Sequence, residues 1–500
     1  MKKILTFILI SFIMAPTFSL FGCKTSQNSA NINTIRVCNC EDYIDESLFE
    51  EFTEETGIEV IYSTYGTNEN LYNELVINPN SYDLVVPSEY MIEKLAIEGR
   101  IQPLTQSEQY QDYLTGYNDT ISPFIKEKLQ SIKIDDGEYK DDNLTLYDFM
   151  VGYMWGTMGW VYNTDNVSVD DVKNWYNPFN NSDIYKRITI KDAVRDSYIV
   201  GLAMVYKEEL ELTNDNAVIT EILNRTDKES IKLVGDKLSS LKDKLYGFEV
   251  DSGKNDIVLG NIDAYVAWSG DAAYAIDVGA GKYVDEELGE LKSEQLKALS
   301  YYVPDEGSNI WFDGFVMPSG SNNYEAVYKF LEFISRPSSV YSNMDTTGYT
   351  SMIAGDYIFE NVLLDGYDES EDLLSDEGIE VDFSYFFGGD GEYTIKVSEE
   401  NYGRIIAQYP TKEIVDRCAV MSFFDSEQLL DINETWEHVK GETWSWWVII
   451  LIISLVVLLA ILMVLFKHRD KIKWFKLPER KTTYAERKGL KEISRKEIRL

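Results

Sequence analysis

Two apolar stretches close off the acidic body of this chain, and everything after the second is basic. Trp446–Phe466 is a run of 21 residues without a charge. At about 1.5 Å per residue such a run covers roughly the 30 Å hydrocarbon core of a bilayer, which predicts a transmembrane helix over 446–466. Trp444, Trp446 and Trp447 stand at its outer edge, as interfacial aromatics do. Lys467, Arg469, Lys471 and Lys473 follow at once and place the tail, 467–500, in the cytoplasm. Residues 23–466 hold 80 Asp+Glu against 31 Lys+Arg, and the tail holds 13 Lys+Arg against 5 Asp+Glu. The expectation is therefore a protein of the cell membrane, its large acidic body extracellular or periplasmic and its tail cytoplasmic.

The N-terminus carries two lysines, an apolar run from Ile4, and Leu20-Phe21-Gly22-Cys23. Residues 1–22 read as a signal peptide, and the last four residues resemble a bacterial lipobox in which Cys23 is lipidated. Of the other cysteines, Cys38 and Cys40 are two apart on one predicted strand and cannot easily bridge each other. A pairing of either with Cys418 stays open, and nothing in the spacing asks for it. Three scattered thiols with only His438 and His468 do not make a zinc site, so no metal and no cofactor are expected. Nor is nucleic acid an expected partner of so acidic a body.

About 410 exported residues exceed one comfortable core, so two lobes are expected. Thr34–Asn39 reads as a strand, Ile44–Thr56 as a helix ended by Gly57, and Ile58–Thr64 as a second strand. Asn68–Val76 reads as a helix, and Tyr82–Pro87 as a buried strand closed by proline. This repetition predicts a parallel sheet with helices on both faces. Ligands of such sheets bind beyond the C-terminal strand ends, where Asn39–Tyr43, Tyr65–Thr67 and Ser88–Tyr90 should converge. Val151–Val161, rich in Gly and aromatics, looks like a crossover strand between lobes. Asp192–Leu210 reads as a helix with acids in its first turn, Ile262–Trp268 and Asn309–Met317 as strands, and Tyr324–Ile334 as an amphipathic helix. Asp365–Glu400 stands apart as an acidic insertion with a hairpin over Val381–Val397. Its Asp spacing matches no calcium loop, so its acids read as solvated surface.

Several aromatics lie close in sequence to carboxylates: Tyr43 to Asp42, Trp268 to Asp271, Trp311 to Asp313. Asp192 and Asp196, four apart, are expected on one face at a helix start. A cleft of Trp and Tyr faces with isolated carboxylates suits an alkyl diammonium. The rings cover the methylenes with cation–π attraction of about 0.5–2 kcal/mol, and the carboxylates pair with the ammoniums. Core packing competes with this for Trp268, Trp311 and Tyr349, and plain solvation or capping for Asp42, Asp192 and Asp313. Trp155 and Trp160, among small residues, read as packing.

The order of motifs adds a resemblance. IRVCNCEDYIDESLFEEFTEETGIEVIYSTYGTNENLYNEL, YDLVVPSEYMIEKLAIEGRIQPL, WGTMGWVYNTDNV, DAVRDSYIVGLAM, AYVAWSGDA, IWFDGFVMPSGS and TTGYTS resemble, in order from about Thr34 to Lys440, the spermidine/putrescine-binding proteins of polyamine ABC importers. The resemblance implies an α/β, type II periplasmic-binding-protein fold over 34–440. Lobe 1 would take about 34–147 and 310–400, and lobe 2 about 148–309 and 401–440. It implies a polyamine ligand, ABC importer permease subunits as partners, and no enzyme activity. Carried over by motif, the ligand set is Asp42, Tyr43, Ser88, Tyr90, Asp192, Asp196, Trp268, Trp311, Asp313 and Tyr349. Asp313 is the expected main ammonium partner, and Asp196 matches the acid that ends the family's DxxRE-like element. The family's first motif has Asn-Trp where this chain has Asn39-Cys40, which removes one ring from the implied box. The stretch Arg417–Met421 does not display the family's last polar contact, and the helix after the body is absent from free or lipidated binding proteins.

The expectation is thus a membrane-tethered receptor that captures spermidine or putrescine and delivers it to an ABC permease, with lobe closure rather than bond breaking as its act. The alternative is an extracellular sensor for a small cation that signals through its transmembrane helix. A glycoside hydrolase would also use paired carboxylates among aromatics, but no nucleophile elbow, metal cluster or histidine constellation supports one.

Overall fold

The computed structural model describes residues 34–282, 289, 291–292, 295–370, 377–441, 450–451, 453–455 and 457–459. The signal peptide, Cys23 and the basic tail lie outside these. The chain divides into two compact units, Met1–Val439 and Lys440–Leu500, and the sheet described below belongs wholly to the first. Among the described residues no helix is long and apolar enough to cross a membrane. The expected span Trp446–Phe466 lies for the most part outside them; its described residues are helical and exposed.

The strands are β1 Thr34–Cys40, β2 Glu59–Tyr65, β3 Leu84–Val85, β4 Ile101–Gln102, β5 Met150–Asn163, β6 Ile188–Lys191, β7 Gly247–Glu249, β8 Ala264–Trp268, β9 Leu299–Tyr302, β10 Ser308–Pro318, β11 Thr350–Ser351, β12 Ile379–Asp382, β13 Thr394–Val397 and β14 Cys418–Ala419. Among the described residues twelve of these form one sheet, whose main path runs β2-β1-β3-β10-β5-β8-β6-β7. Its two ends are parallel, as the strand–helix–strand rhythm predicts: β1 with β2 and β3, β6 with β7 and β8. The middle is not. β10 runs antiparallel to β3 and β5, and β5 antiparallel to β8. The expected parallel sheet is thus a mixed one: β5 and β10, the two longest strands, lie between the parallel halves and run antiparallel to their neighbours on this path.

All fourteen residues of β5 are buried, and the strand runs through two hydrophobic cores. Met150, Val151 and Trp155 belong to the first, with Phe52, Leu84, Phe312 and Leu331. Met158, Trp160 and Tyr162 belong to the second, with Trp175, Ile190, Leu202 and Trp436. Trp155 and Trp160 are fully buried, consistent with packing. Glycine lets this strand carry such neighbours. A Cβ on Gly156 would stand 2.7 Å from the Trp311 ring and closer still to Ser269 Oγ, so only a glycine leaves room for the indole.

Local chemistry sets the helices around the sheet. The first runs Ser47–Thr56, buries Leu48 and Phe52, and stops at Gly57, whose φ of 70° is the left-handed cap. Tyr324–Ile334 forms as expected, burying Val327, Phe330, Leu331 and Ile334. The strand expected over Tyr82–Pro87 is paired only at Leu84–Val85; Asp83 and Val86 still donate to the Arg36 and Cys38 carbonyls, and Pro87 has no N–H to give. The helix expected from Asp192 starts at Val194 and ends at Val205, with a separate turn at Lys207–Glu211. Asp192 is outside it because its N–H bonds the Glu249 carbonyl at 2.7 Å, continuing the pairing of β6 with β7.

The 365–400 stretch forms an antiparallel pair, β12 with β13, with a short helix Ser384–Phe387 between them. Its acids are largely exposed, but its aromatics are not surface: Phe383, Phe386 and Phe387 are buried, and Phe386 stacks on Trp155 at 5.3 Å. The acidic residues follow the charge pattern, while the aromatics between them belong to the first core. Cys38, Cys40 and Cys418 are free thiols, and among the described residues no cluster is arranged to hold a metal. Gly156→Ala is expected to destabilise the protein by about 1–3 kcal/mol through overpacking against Trp311, measured by urea unfolding. A change below about 0.5 kcal/mol, the scale of ordinary surface substitutions, would show that the indole has room to move.

Candidate functional site

Beyond the C-terminal ends of β1, β2 and β3 the chain brings Tyr43, Asn68 and Ser88 to one place. Asn39, fully buried, donates to the Tyr43 carbonyl at 3.2 Å. Asn68 Nδ2 donates to Ser88 Oγ at 3.1 Å, and Tyr65 OH to the Val86 carbonyl at 2.7 Å. Against them comes β10, which carries Trp311 and Asp313. Its register against β5 shifts between Asp313 and Gly314, and Asp313, still paired with Met154 of β5, also bridges Ser88 in an isolated antiparallel pair. An irregularity of this kind re-aims a side chain out of the strand alternation.

The Asp313 carboxylate accepts from Tyr43 OH at 2.7 Å through Oδ2, while its Oδ1 is buried without a hydrogen-bond partner. Burial pushes its pKa up to about 6, against hydrogen bonds from Ser88 and Tyr43 that pull it down. Rings close around it. Tyr349 meets Tyr43 edge-on at 5.2 Å and Trp311 at 5.6 Å, and Tyr153 meets Tyr43 at 5.5 Å. The Trp311 indole N–H is also buried and unpaired. Cys40 is close enough for the Asp313 charge to add to burial in pushing its thiol up to about 12.

A second group gathers at the ends of β6, β7 and β8. Asp196 is buried in the first turn of the helix Val194–Val205; desolvation pushes it up to about 6, opposed by Lys191, the Trp268 indole and Arg195. Trp268 is half-buried at the end of β8, and the Lys191 ammonium lies over its ring, 4.1 Å from the centroid. Tyr349 joins the two groups by donating to Asp271 Oδ1 at 3.2 Å.

The remaining expected residues sit differently. The Tyr90 ring is covered by the Arg195 guanidinium at 3.7 Å, and its OH donates to Glu69 at 3.3 Å. Asp192 accepts from the Trp436 indole at 3.2 Å and does not share a helix face with Asp196. Asp42 is exposed on a turn with a φ of 53°. So Tyr43, Ser88, Trp311, Asp313 and Tyr349 come together, Asp196 and Trp268 form a neighbouring group, and Asp42, Asp192 and Tyr90 are engaged elsewhere or open to solvent.

Sequence reasoning missed Glu89, Lys191 and Arg195. Glu89 stands between Ser88 and Tyr90 in the VPSEY motif, where a carboxylate at a helix start reads as ordinary capping. It is 2 % exposed, its Oε2 accepts from Phe312 N at 2.9 Å, and its Oε1 has no partner. Burial first, and the Asp313 charge with it, push Glu89 up to about 8. Lys191 had one signal, a lysine ending the apolar strand ITIK just before DAVRD.

A family model described as bacterial extracellular solute-binding protein matches residues 47–355, so the chain belongs to that family and is a binding protein rather than an enzyme. The match ends before the 365–400 stretch. Among curated relatives, the spermidine/putrescine-binding periplasmic protein of Salmonella typhimurium is 27% identical over 337 residues, 66% of this chain and 80% of that one. The putrescine-binding periplasmic protein PotF of Escherichia coli is 26% identical over 347 residues, 67% of this chain and 81% of that one. The fold is shared with a solved putative spermidine/putrescine ABC transporter from Listeria monocytogenes, with a TM-score of 0.57 and 23% identity over 82% of this chain and 99% of that one.

Glu89 tests how these buried acids act on stability. Its folded pKa, about 8, exceeds its ordinary 4.5, so the folded state binds more protons between those values. Its contribution is fully present below about pH 4.5 and is lost as pH rises through about 8. Glu89→Gln should match the wild type near pH 5 and become the more stable of the two toward pH 8. The scale is on the order of 1.4 kcal/mol per pH unit, read by urea unfolding at several pH values. A difference that does not grow with pH would place the Glu89 proton elsewhere.

Proposed function

We propose that this member of the extracellular solute-binding protein family captures a polyamine, spermidine or putrescine, and delivers it to the permease of an ABC importer. The observation that carries the reading is the Asp313 Oδ1 acceptor, buried with no donor and ringed by Tyr43, Trp311 and Tyr349. A buried carboxylate left with an open acceptor calls for a charged donor. An alkylammonium supplies the donor, and its methylenes suit the rings. The relatives' names, two of them polyamine binders, point the same way.

In this reading Tyr43 and Ser88 orient the Asp313 carboxylate, and Trp311 and Tyr349 wall the methylene chain. Asp196 and Trp268 face the ligand's other part, with Asp42, Tyr90 and Asp192 as outlying members of the implied set. Residues 34–147 with 310–400, and 148–309 with 401–440, act as two lobes that close over the ligand. Signal cleavage, lipid on Cys23 and a span over 446–466 would hold the body at the outer face of the membrane, with the basic tail inside. The hydropathy and charge of those segments support this part.

Calorimetric titration of the purified full-length protein with putrescine, spermidine, spermine and cadaverine tests the ligand class. No heat and no thermal stabilisation from any of them, at low and moderate salt, would sink it. Asp313→Asn removes the charged acceptor and should weaken binding by roughly tenfold or more, about 1.4 kcal/mol per decade. A bound ammonium favours the carboxylate form, so binding releases protons where Asp313 is partly protonated. Affinity should then rise from about pH 5 to 7 around the Asp313 value of about 6, and rise less in the Asp313→Asn variant; equal pH slopes would assign the titration to another group. For the tether, cells expressing the chain should retain it in the membrane fraction after an alkaline carbonate wash. A chain stopped after residue 440, with Cys23→Ser, should be washed free, and its retention would overturn the anchor.

A further inference from the structure

Lys191 is the charged side chain whose place is hardest to account for by packing. It ends β6, between β8 and β7, and is 1 % exposed. Burying an ammonium is unfavourable unless partners replace its water, and three do. Nζ donates to the Val250 carbonyl at 2.6 Å, stands 3.5 Å from Asp271 Oδ2, and lies 4.1 Å from the centre of the Trp268 ring. A ring face, a carboxylate and a carbonyl make up the seat that an alkylammonium end takes in a cleft of aromatics and acids. Here the seat is filled from within the chain.

The seat belongs to the same site as Asp313. Asp271 forms an ion pair with Lys191 and accepts a hydrogen bond from Tyr349 OH, and Tyr349 packs against Tyr43 and Trp311. The two ends of this chain of contacts differ in one respect: Asp313 Oδ1 has no partner, whereas the Trp268 face and Asp271 already hold a cation.

Resting on the polyamine reading above, we infer that Lys191 is a resident ammonium that fills one cation seat of the cleft and thereby sets ligand choice, favouring a short diamine over a triamine. A diamine needs an acceptor for each of two ammoniums. A triamine must place a third charge, and with the Trp268 seat occupied that charge falls near a like charge in a poorly screened interior. Removing Lys191 frees both the ring face and the Asp271 carboxylate.

Calorimetric titration of the full-length protein and of its Lys191→Met variant, with putrescine and spermidine at one pH and one salt concentration, tests this. The wild type should bind putrescine roughly tenfold or more tightly than spermidine, and Lys191→Met should shift that ratio toward spermidine by roughly tenfold or more. Methionine keeps the length of the stem but leaves Asp271 without its cation. If that variant does not fold, the wild-type ratio alone decides. Wild type that binds both polyamines without preferring putrescine overturns the inference and leaves the polyamine reading standing, as does a ratio unchanged in Lys191→Met. Wild type that binds neither overturns both.

Discussion

Asp313 is half-buried, with its Oδ1 enclosed and without a hydrogen-bond partner, and much of the surrounding architecture serves to hold it there. Ionised carboxylates are rarely stable in an interior unless paired, so the group must be propped by neutral donors. Tyr43 OH is one, held by a tyrosine whose carbonyl accepts from Asn39 and from Tyr153 OH at 2.6 Å. Ser88, fixed by Asn68 and by the bridge to β10, lies beside the carboxylate and helps to pull its pKa down. Each prop comes from a different strand end, so the sheet must close correctly before the carboxylate is held at all. Glu89, just behind, raises the demand: two buried acids stand near one another, and burial pushes both toward their protonated forms. The wall is therefore short of positive charge as folded.

Much of the fold was legible because the rhythm of strand and helix is local. Thr34–Cys40, Ser47–Thr56, Glu59–Tyr65 and Tyr324–Ile334 follow from β-branched runs, apolar spacing and a glycine stop. What was not legible is pairing at a distance. Nothing within Ser308–Pro318 says that it will lie antiparallel between β3 and β5, since strand direction is settled by the whole sheet rather than by the strand. In the site, the aromatic and carboxylate neighbours Trp311 and Asp313 could be read directly. Asp192 and Asp196 could not, because the helix start moved two residues when β6 kept Asp192 in register with β7. Glu89, Lys191 and Arg195 were hidden by their type: charged residues are presumed solvated, and only the third dimension shows that Glu89 and Lys191 are buried and that Arg195 lies half-buried on the Tyr90 ring.

The long strand β5 ties these observations together. Met150–Trp155 sit in one core, Met158, Trp160 and Tyr162 in the other, and Val161 turns back to the first. Trp311 approaches its backbone at Gly156, and Phe386 from the 365–400 stretch stacks on its Trp155. That stretch lies beyond the matched family region, yet its rings join the core on which the site strand rests. Its acids and its aromatics thus do different things within a few residues of each other.

The Arg195 guanidinium has one further consequence. It rises from the helix Val194–Val205, which packs on the second core, and lies on the ring of Tyr90, from the helix Glu89–Ile97 on the first. It also covers Phe424 at 4.1 Å and donates to the Ser422 carbonyl at 2.9 Å. Any movement that parts the two cores must peel this cation from a ring, at a cost of about 0.5–2 kcal/mol. That biases the resting ensemble by roughly two- to thirtyfold toward the assembled form before a ligand arrives. One guanidinium thus helps to hold the two cores against each other.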